Sequence, residues 1–293
     1  MDNRTSLSVF IDEFGDVTAK NPTAPYGGGI FVCRTGDVEI LGEKLAATIP
    51  EKIHLRKSES QDKCLEVVRQ VSSFLGDLKE KKPFWGGGYI VKNPGFFKEE
   101  NEKLQQACLS GDFSSVPNAY GIREYWTRER PTPEALTNHL VKVTKQWGLF
   151  SHFNWTIRLC LLAFSLEHIG YSHISIKFIF EETGNHKDFL KRANKFAPSI
   201  DSTIKDFSNL VGNHPKRKML PSVDIRVDSS QSKDNEKISE MADVFAHIAG
   251  KVHRKNDDYT KNLYTLIGPY FNLYDSFSGD VPRIFPRGVF NFI

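Results

Sequence analysis

The sequence predicts an α/β fold. Three observations carry that expectation: short apolar segments with the character of strands, helical-period segments set between them, and acidic residues standing where strand segments stop.

Taken in order, Leu7 to Ile11 is an apolar run rich in Val, Phe and Ile that meets Asp12 and Glu13, as a core strand reaching a sheet edge would. Tyr26-Gly-Gly-Gly-Ile-Phe-Val-Cys33 opens a second strand. Phe84-Trp-Gly-Gly-Gly-Tyr-Ile-Val91 opens a third with the same aromatic, triple-glycine, apolar order, which suits two paired strands. Neither glycine run leads into Gly-Lys-Ser/Thr or forms G-x-G-x-x-G before a helix, so a phosphate loop is excluded. Close backbone approach or a bulge is the better account. Between these strands, Val38 to Thr48 and Gln61 to Lys79 place Leu, Val and Phe at helical spacing.

From Asn93 to His173 the pattern is helical throughout, over Phe96 to Leu109, Pro133 to Trp147 and Asn154 to Ile169. His173 to Phe180 then sets apolar residues at 174, 176, 178 and 180, the alternation of a strand, and runs into Glu181-Glu182-Thr183-Gly184. Asn185 to Phe196 reads as a helix, Val223 to Val227 as a last core strand, and Asn235 to Arg254 as a long helix. We read 1–255 as one α/β domain with helical insertions around 37–82 and 93–172. Residues 256–293 mix Pro, Gly and Asp with Tyr, Phe and Ile and read as an extension packed on that domain.

Composition narrows the function classes. The 293 residues are 39% hydrophobic and 12% aromatic, outside the range of disordered chains. A net charge of +3 is too small to imply nucleic acid or an anionic membrane by itself. Cys33, Cys64, Cys108 and Cys160 form no C-x-x-C pair, which excludes a zinc ribbon and suits reduced cytosolic thiols. The N-terminus reaches acidic residues before any secretory-type apolar run, and the most apolar stretch, Thr156 to Tyr171, is short for a bilayer and carries Arg158, Glu167 and His168. The expectation is a cytoplasmic protein without a membrane partner.

Acids end core elements at three separated places: Asp12, Glu13 and Asp16 after the first strand, Glu181 and Glu182 after the later one, and Asp243 within the last long helix. Each alone reads more readily as a solvated loop or helix-end residue, and only their joint placement points to a site. Brought together at one sheet edge they would repel unless a hard divalent cation lay between them. Mg²⁺ or Mn²⁺ held this way supports phosphoryl chemistry, hence nuclease activity. On the long helix, Ile238, Met241, Phe245, Ile248, Ala249 and Val252 form an apolar face, and Glu236, Glu240, Asp243 and His247 a polar stripe. A solvated stripe accounts for that spacing equally well.

Ser8-Val-Phe-Ile-Asp-Glu-Phe-Gly-Asp16 resembles the opening apolar-Asp-Glu-Ser-Gly signature of the prokaryotic domain of unknown function 3800 family, with Phe14 in place of the usual serine. Phe180-Glu-Glu-Thr-Gly184 resembles that family's middle strand, and Ser239-Glu-Met-Ala-Asp-Val-Phe-Ala246 its late Ala-Asp helix motif. Ile53-His54-Leu55 is similar to a histidine-containing segment after the second strand. The matches run in order from Ser8 to Gly250. The resemblance implies a ribonuclease H-like mixed sheet flanked by helices, with long helical insertions. It implies Asp12 as a first-strand metal ligand, Glu181 or Glu182 as the middle-strand ligand and Asp243 as the helix ligand. Glu13 and Asp16 are alternative or supporting ligands. The departure at Phe14 removes a hydroxyl that would hydrogen-bond near the metal.

His54 and His247 are candidates for proton transfer, although a histidine in an apolar-flanked segment is commonly structural. Arg56 and Lys57, beside His54, are candidate phosphate contacts, as are Lys216, Arg217 and Lys218, which follow Gly212-Asn-His-Pro215 in a stretch that reads as a loop. The 22 phenylalanines match no RNA-recognition sheet motif and read as core. Pro117 to Arg130, with Tyr120, Tyr125 and Trp126, reads as a surface helix or as a lid or partner surface.

The function expected is a metal-dependent phosphodiester hydrolase acting on RNA or DNA. The alternative is a ribonuclease H-like module without catalysis that binds nucleic acid or protein through its helical insertions. Prokaryotic defence is a context suggested only by the resemblance.

Overall fold

The computed structural model describes residues 4–15, 26–53, 55, 60–79, 84–91, scattered positions between 102 and 138, and 173–180, 222–229, 233–254 and 257–276. Its strands are β1 (Arg4–Phe14), β2 (Tyr26–Arg34), β3 (Phe84–Val91), β4 (His173–Phe180), β5 (Ser222–Ser229) and β6 (Asn272–Ser276). The helices are α1 (Val38–Thr48), α2 (Gln61–Lys79), α3 (Lys233–Arg254) and α4 (Asp258–Ile267). No helix among the described residues is long and apolar enough to cross a membrane.

One mixed sheet joins the strands in the order β5-β4-β1-β2-β3-β6. β1, β2 and β3 pair antiparallel, β4 lies parallel to β1, β5 parallel to β4, and β6 parallel to β3. The near-continuous apolar run of β1 follows from burial of both faces. Phe10 is fully buried on one side, and Val9 and Ile11 are buried on the other.

Pleating groups Phe10, Phe31, Cys33 and Ile179 on the face that meets the helices. There they pack with Leu41 and Leu45 of α1, Val68 and Leu75 of α2, and Phe245 and Ile248 of α3. Phe31 and Phe245 face each other at 6.4 Å between ring centroids, and Phe245 and Phe271 at 5.5 Å.

α3 crosses β1, β2 and β3 on this face. The two glycine runs explain how closely it lies. Gly29 pairs with Gly88 across β2 and β3, and a Cβ on Gly29 would fall 2.2 Å from both the Ala242 carbonyl oxygen and the Ala246 nitrogen of α3. At Gly86 it would fall 2.6 Å from the Phe245 ring. The glycines therefore serve close approach of a helix to the sheet.

The C-terminal part adds α4 and β6. Asp257 caps α4, its carboxylate accepting the Thr260 N–H at 2.9 Å. Ser72 of α2 donates to the Leu266 carbonyl at 2.7 Å, and the Asn272 amide to the Gly86 carbonyl at 3.3 Å. Residues 257–276 thus build onto the same sheet and core, and 255, 256 and 277–293 lie outside the described residues.

Candidate functional site

Parallel β1, β4 and β5 end on one edge, with Ile11, Phe180 and Ser229 side by side in register. Asp12 is the next residue of β1. Glu181 is the next residue of the chain after β4, and it lies outside the described residues together with Glu182 and Asp16. In open α/β sheets the crevice beyond the carboxyl ends of parallel strands is where ligands gather.

β1 remains paired through Phe14, so its pleat continues past Ile11. Asp12 accordingly shares the α3 face with Phe10 and Phe14, and Glu13 projects from the other face. Phe14 lies over two glycines. Its ring atoms are 2.5 Å from where a Cβ on Gly27 would stand and 3.1 Å from one on Gly250 of α3. Phe14 is thus a packing residue between β2 and the C-terminal half of α3. Gly15 follows with φ of 87°, in the left-handed region that favours glycine.

On the α3 face the carboxyl groups of Asp12 and Asp243 come within hydrogen-bonding reach of each other. Burial, above all, pushes the Asp12 carboxyl well above the usual carboxylate range. The neighbouring charges of Glu13 and Asp243 and the hydrogen bond to Asp243 push in the same direction. The small residues Ala242 and Ala246 flank Asp243 where α3 lies on Gly29, whose partner in β1 is Asp12. The same close packing that the glycines permit therefore brings the two acids together.

The polar stripe of α3 is partly covered: Glu240 is buried and Asp243 half-buried, while Glu236 stays exposed. The segment after α1 runs along it. The Ile53 N–H donates to Glu240 Oε2 at 3.1 Å, and the Leu55 N–H to Asp243 Oδ2 at 3.4 Å. Lys237 Nζ donates to Glu240 Oε2 at 2.6 Å and to the Glu51 carbonyl at 2.7 Å. Glu236, at the exposed end of the stripe, pairs with Lys52 at 3.5 Å. Ile53 and Leu55 bury their side chains in the core, so the segment is held by apolar anchors on one side and acids on the other.

Of the other residues singled out from sequence, His247 lies half-buried on α3, one turn beyond Asp243. His54, Arg56, Lys57, Lys216, Arg217 and Lys218 lie outside the described residues, although Ile53 and Leu55 on either side of His54 each donate a backbone N–H to an α3 acid. Among the described residues no group of three or more His, Cys, Asp or Glu forms a metal cage. Cys33 and Cys64 are buried free thiols, and burial pushes Cys33 far up.

Sequence reading missed the part played by Lys237 and Glu240. The available signal was their spacing of three on a helix, which places opposite charges side by side. Both side chains are nearly buried, at 12% and 8% exposed. Removing the ammonium leaves an uncompensated carboxylate in the core. Lys237→Met is expected to cost about 3 kcal/mol at neutral pH.

Burial already holds the Glu240 carboxyl above its ordinary value, against the pull of Lys237 and the Ile53 N–H. A raised folded pKa means that stability is complete below the unfolded value and is lost as pH rises through the folded one. The deficit of Lys237→Met should therefore shrink as pH falls toward about 4. It should be largely relieved in Lys237→Met/Glu240→Gln, which urea unfolding at the two pH values would measure.

Compared with family models, with curated proteins and with solved structures, the chain has no match in any of the three.

Proposed function

We propose that this protein is a metal-dependent phosphodiester hydrolase of ribonuclease H-like fold that cleaves RNA or DNA. The observation that carries the reading is the meeting of Asp12 and Asp243 at the end of β1, beside the point where β4 runs into Glu181 and Glu182. The fold part is supported by the succession of elements: three opening antiparallel strands, later strands added parallel to the first, and a final helix bearing an acid.

The donor set fits a hard divalent cation. Two carboxylates converge in a half-buried position, and the Asp12 carboxyl is held toward its protonated form by burial first and then by the neighbouring acids Glu13 and Asp243. Asp12 and Asp243 would hold Mg²⁺ or Mn²⁺, with Glu181 or Glu182 as the third ligand. The cation would supply an activated water and stabilise the leaving oxygen. The Leu55 N–H restrains the Asp243 carboxylate, Phe14 closes the floor between β2 and α3, and His54 or His247 would move the proton. Arg56, Lys57 and Lys216 to Lys218 would contact phosphates without reading bases.

The test is cleavage of labelled single- and double-stranded RNA and DNA by the parent protein with Mg²⁺, Mn²⁺ or EDTA. Metal-dependent cleavage is expected. Thermal unfolding provides a readout free of substrate: Mn²⁺ at a hundred times its Kd should stabilise the parent by about 2.7 kcal/mol. No cleavage of any substrate, with nucleic-acid binding unchanged by EDTA, would identify the non-catalytic binding module instead.

A further inference from the structure

Glu240 lies on the same stripe of α3 as Asp243, three residues earlier, and is 7% exposed. An acid so placed could be counted among the metal ligands. Its partners point elsewhere. One oxygen, Oε2, accepts both the Ile53 N–H at 3.1 Å and the Lys237 ammonium at 2.6 Å. The same ammonium reaches the Glu51 carbonyl at 2.7 Å. Lys237 and Glu240 thus hold both the donor and the acceptor side of the 51–53 backbone against the helix.

Two residues further along, that backbone presents the Leu55 N–H to Asp243 Oδ2 at 3.4 Å. A carboxylate with one oxygen held by a fixed N–H has its rotation about χ2 restricted. Groups that hold a metal ligand in orientation affect affinity without touching the ion.

We propose that Glu240 is a positioning residue. With Lys237 it clamps the segment after α1 along α3, so that the Leu55 N–H fixes the orientation of the Asp243 carboxylate that meets Asp12. This inference rests on the reading of Asp12 and Asp243 as metal ligands. The clamp acts through backbone hydrogen bonds, so what Glu240 must supply is an acceptor for the Ile53 N–H. Glutamine retains that acceptor and alanine does not.

The experiment measures Mn²⁺ affinity by titration calorimetry on the full chain, well below the unfolding temperature. It compares the parent with Glu240→Gln, Glu240→Ala and Lys237→Met, with urea unfolding alongside. Glu240→Ala should weaken Mn²⁺ binding by about 10- to 100-fold. Glu240→Gln should stay within about threefold of the parent, even if it loses stability with the charge pair. Should Glu240→Ala not fold, Lys237→Met provides the second probe, with an expected loss of about tenfold.

Parent-like affinity in a folded but destabilised Glu240→Ala or Lys237→Met would overturn the proposal and leave a purely structural role. Equal loss in Glu240→Gln and Glu240→Ala would overturn it as well, because charge and not backbone positioning would then be the operative property. If the parent itself binds no Mn²⁺, the metal-site reading falls and this inference with it.

Discussion

Replacing Gly29 by alanine is expected to destabilise the fold by about 3 kcal/mol and to separate Asp12 from Asp243 at the same time. The added methyl would meet the Ala242 carbonyl oxygen and the Ala246 nitrogen at 2.2 Å and the Phe245 carbonyl carbon at 2.7 Å. All three are helix backbone, so no rotamer change relieves the clash. α3 must lift from the sheet, and Asp243 follows Ala242 directly on that helix. Gly36→Ala is the control, because nothing lies within 4 Å of a Cβ there and its backbone lies outside the left-handed region. It should be neutral or stabilising by up to about 1 kcal/mol. Urea unfolding of both variants, with Mn²⁺ binding as a second readout, checks the contrast. Equal stability of Gly29→Ala and parent would refute the close approach.

Asp12→Asn should move activity and stability in opposite directions. If Asp12 holds the cation, the substitution forfeits about 4 kcal/mol of transition-state stabilisation, about a thousandfold in rate. Asp243→Asn should lose cleavage similarly. In EDTA the stability effect has the other sign. The Asp12 carboxyl is raised by burial and by Glu13 and Asp243, so its contribution is complete below the unfolded pKa and is lost as pH rises through the folded value. The asparagine variant should therefore melt at or above the parent at pH 8, with the gap closing toward pH 4. Adding Mn²⁺ should reverse the order, since only the parent gains. A variant that melts below the parent in EDTA at pH 8 would contradict a strained acidic pair.

Several elements were legible because their information is local. The helical spacing of Leu, Val and Phe marks Val38 to Thr48 and Gln61 to Lys79, and both ranges are the helices observed. Alternation marks His173 to Phe180, and the strand has those bounds. The matching glycine runs indicate paired strands, and Gly29 faces Gly88. The end of β1 was less legible. An acid pair reads as the finish of a strand, whereas pairing with Gly28 and Gly27 carries β1 on to Phe14. β6 was missed because Asn272 to Ser276 is short and polar-rich, and its strand character comes from pairing with β3.

The sequence by itself determined the first five strands and the helices α1, α2 and α3 in their order, the apolar faces and the placement of acids at the ends of elements, because side-chain periodicity records which face is buried. It did not record what covers that face. Only the tertiary structure decided that α3 rests on glycine backbone, that Asp243 reaches Asp12, and that Ile53 and Leu55 turn the polar stripe of α3 into a bonded surface. The reason is that backbone N–H groups carry no side-chain signature. An acid that will accept one from a segment nearly two hundred residues away looks, in the sequence, like an acid facing water.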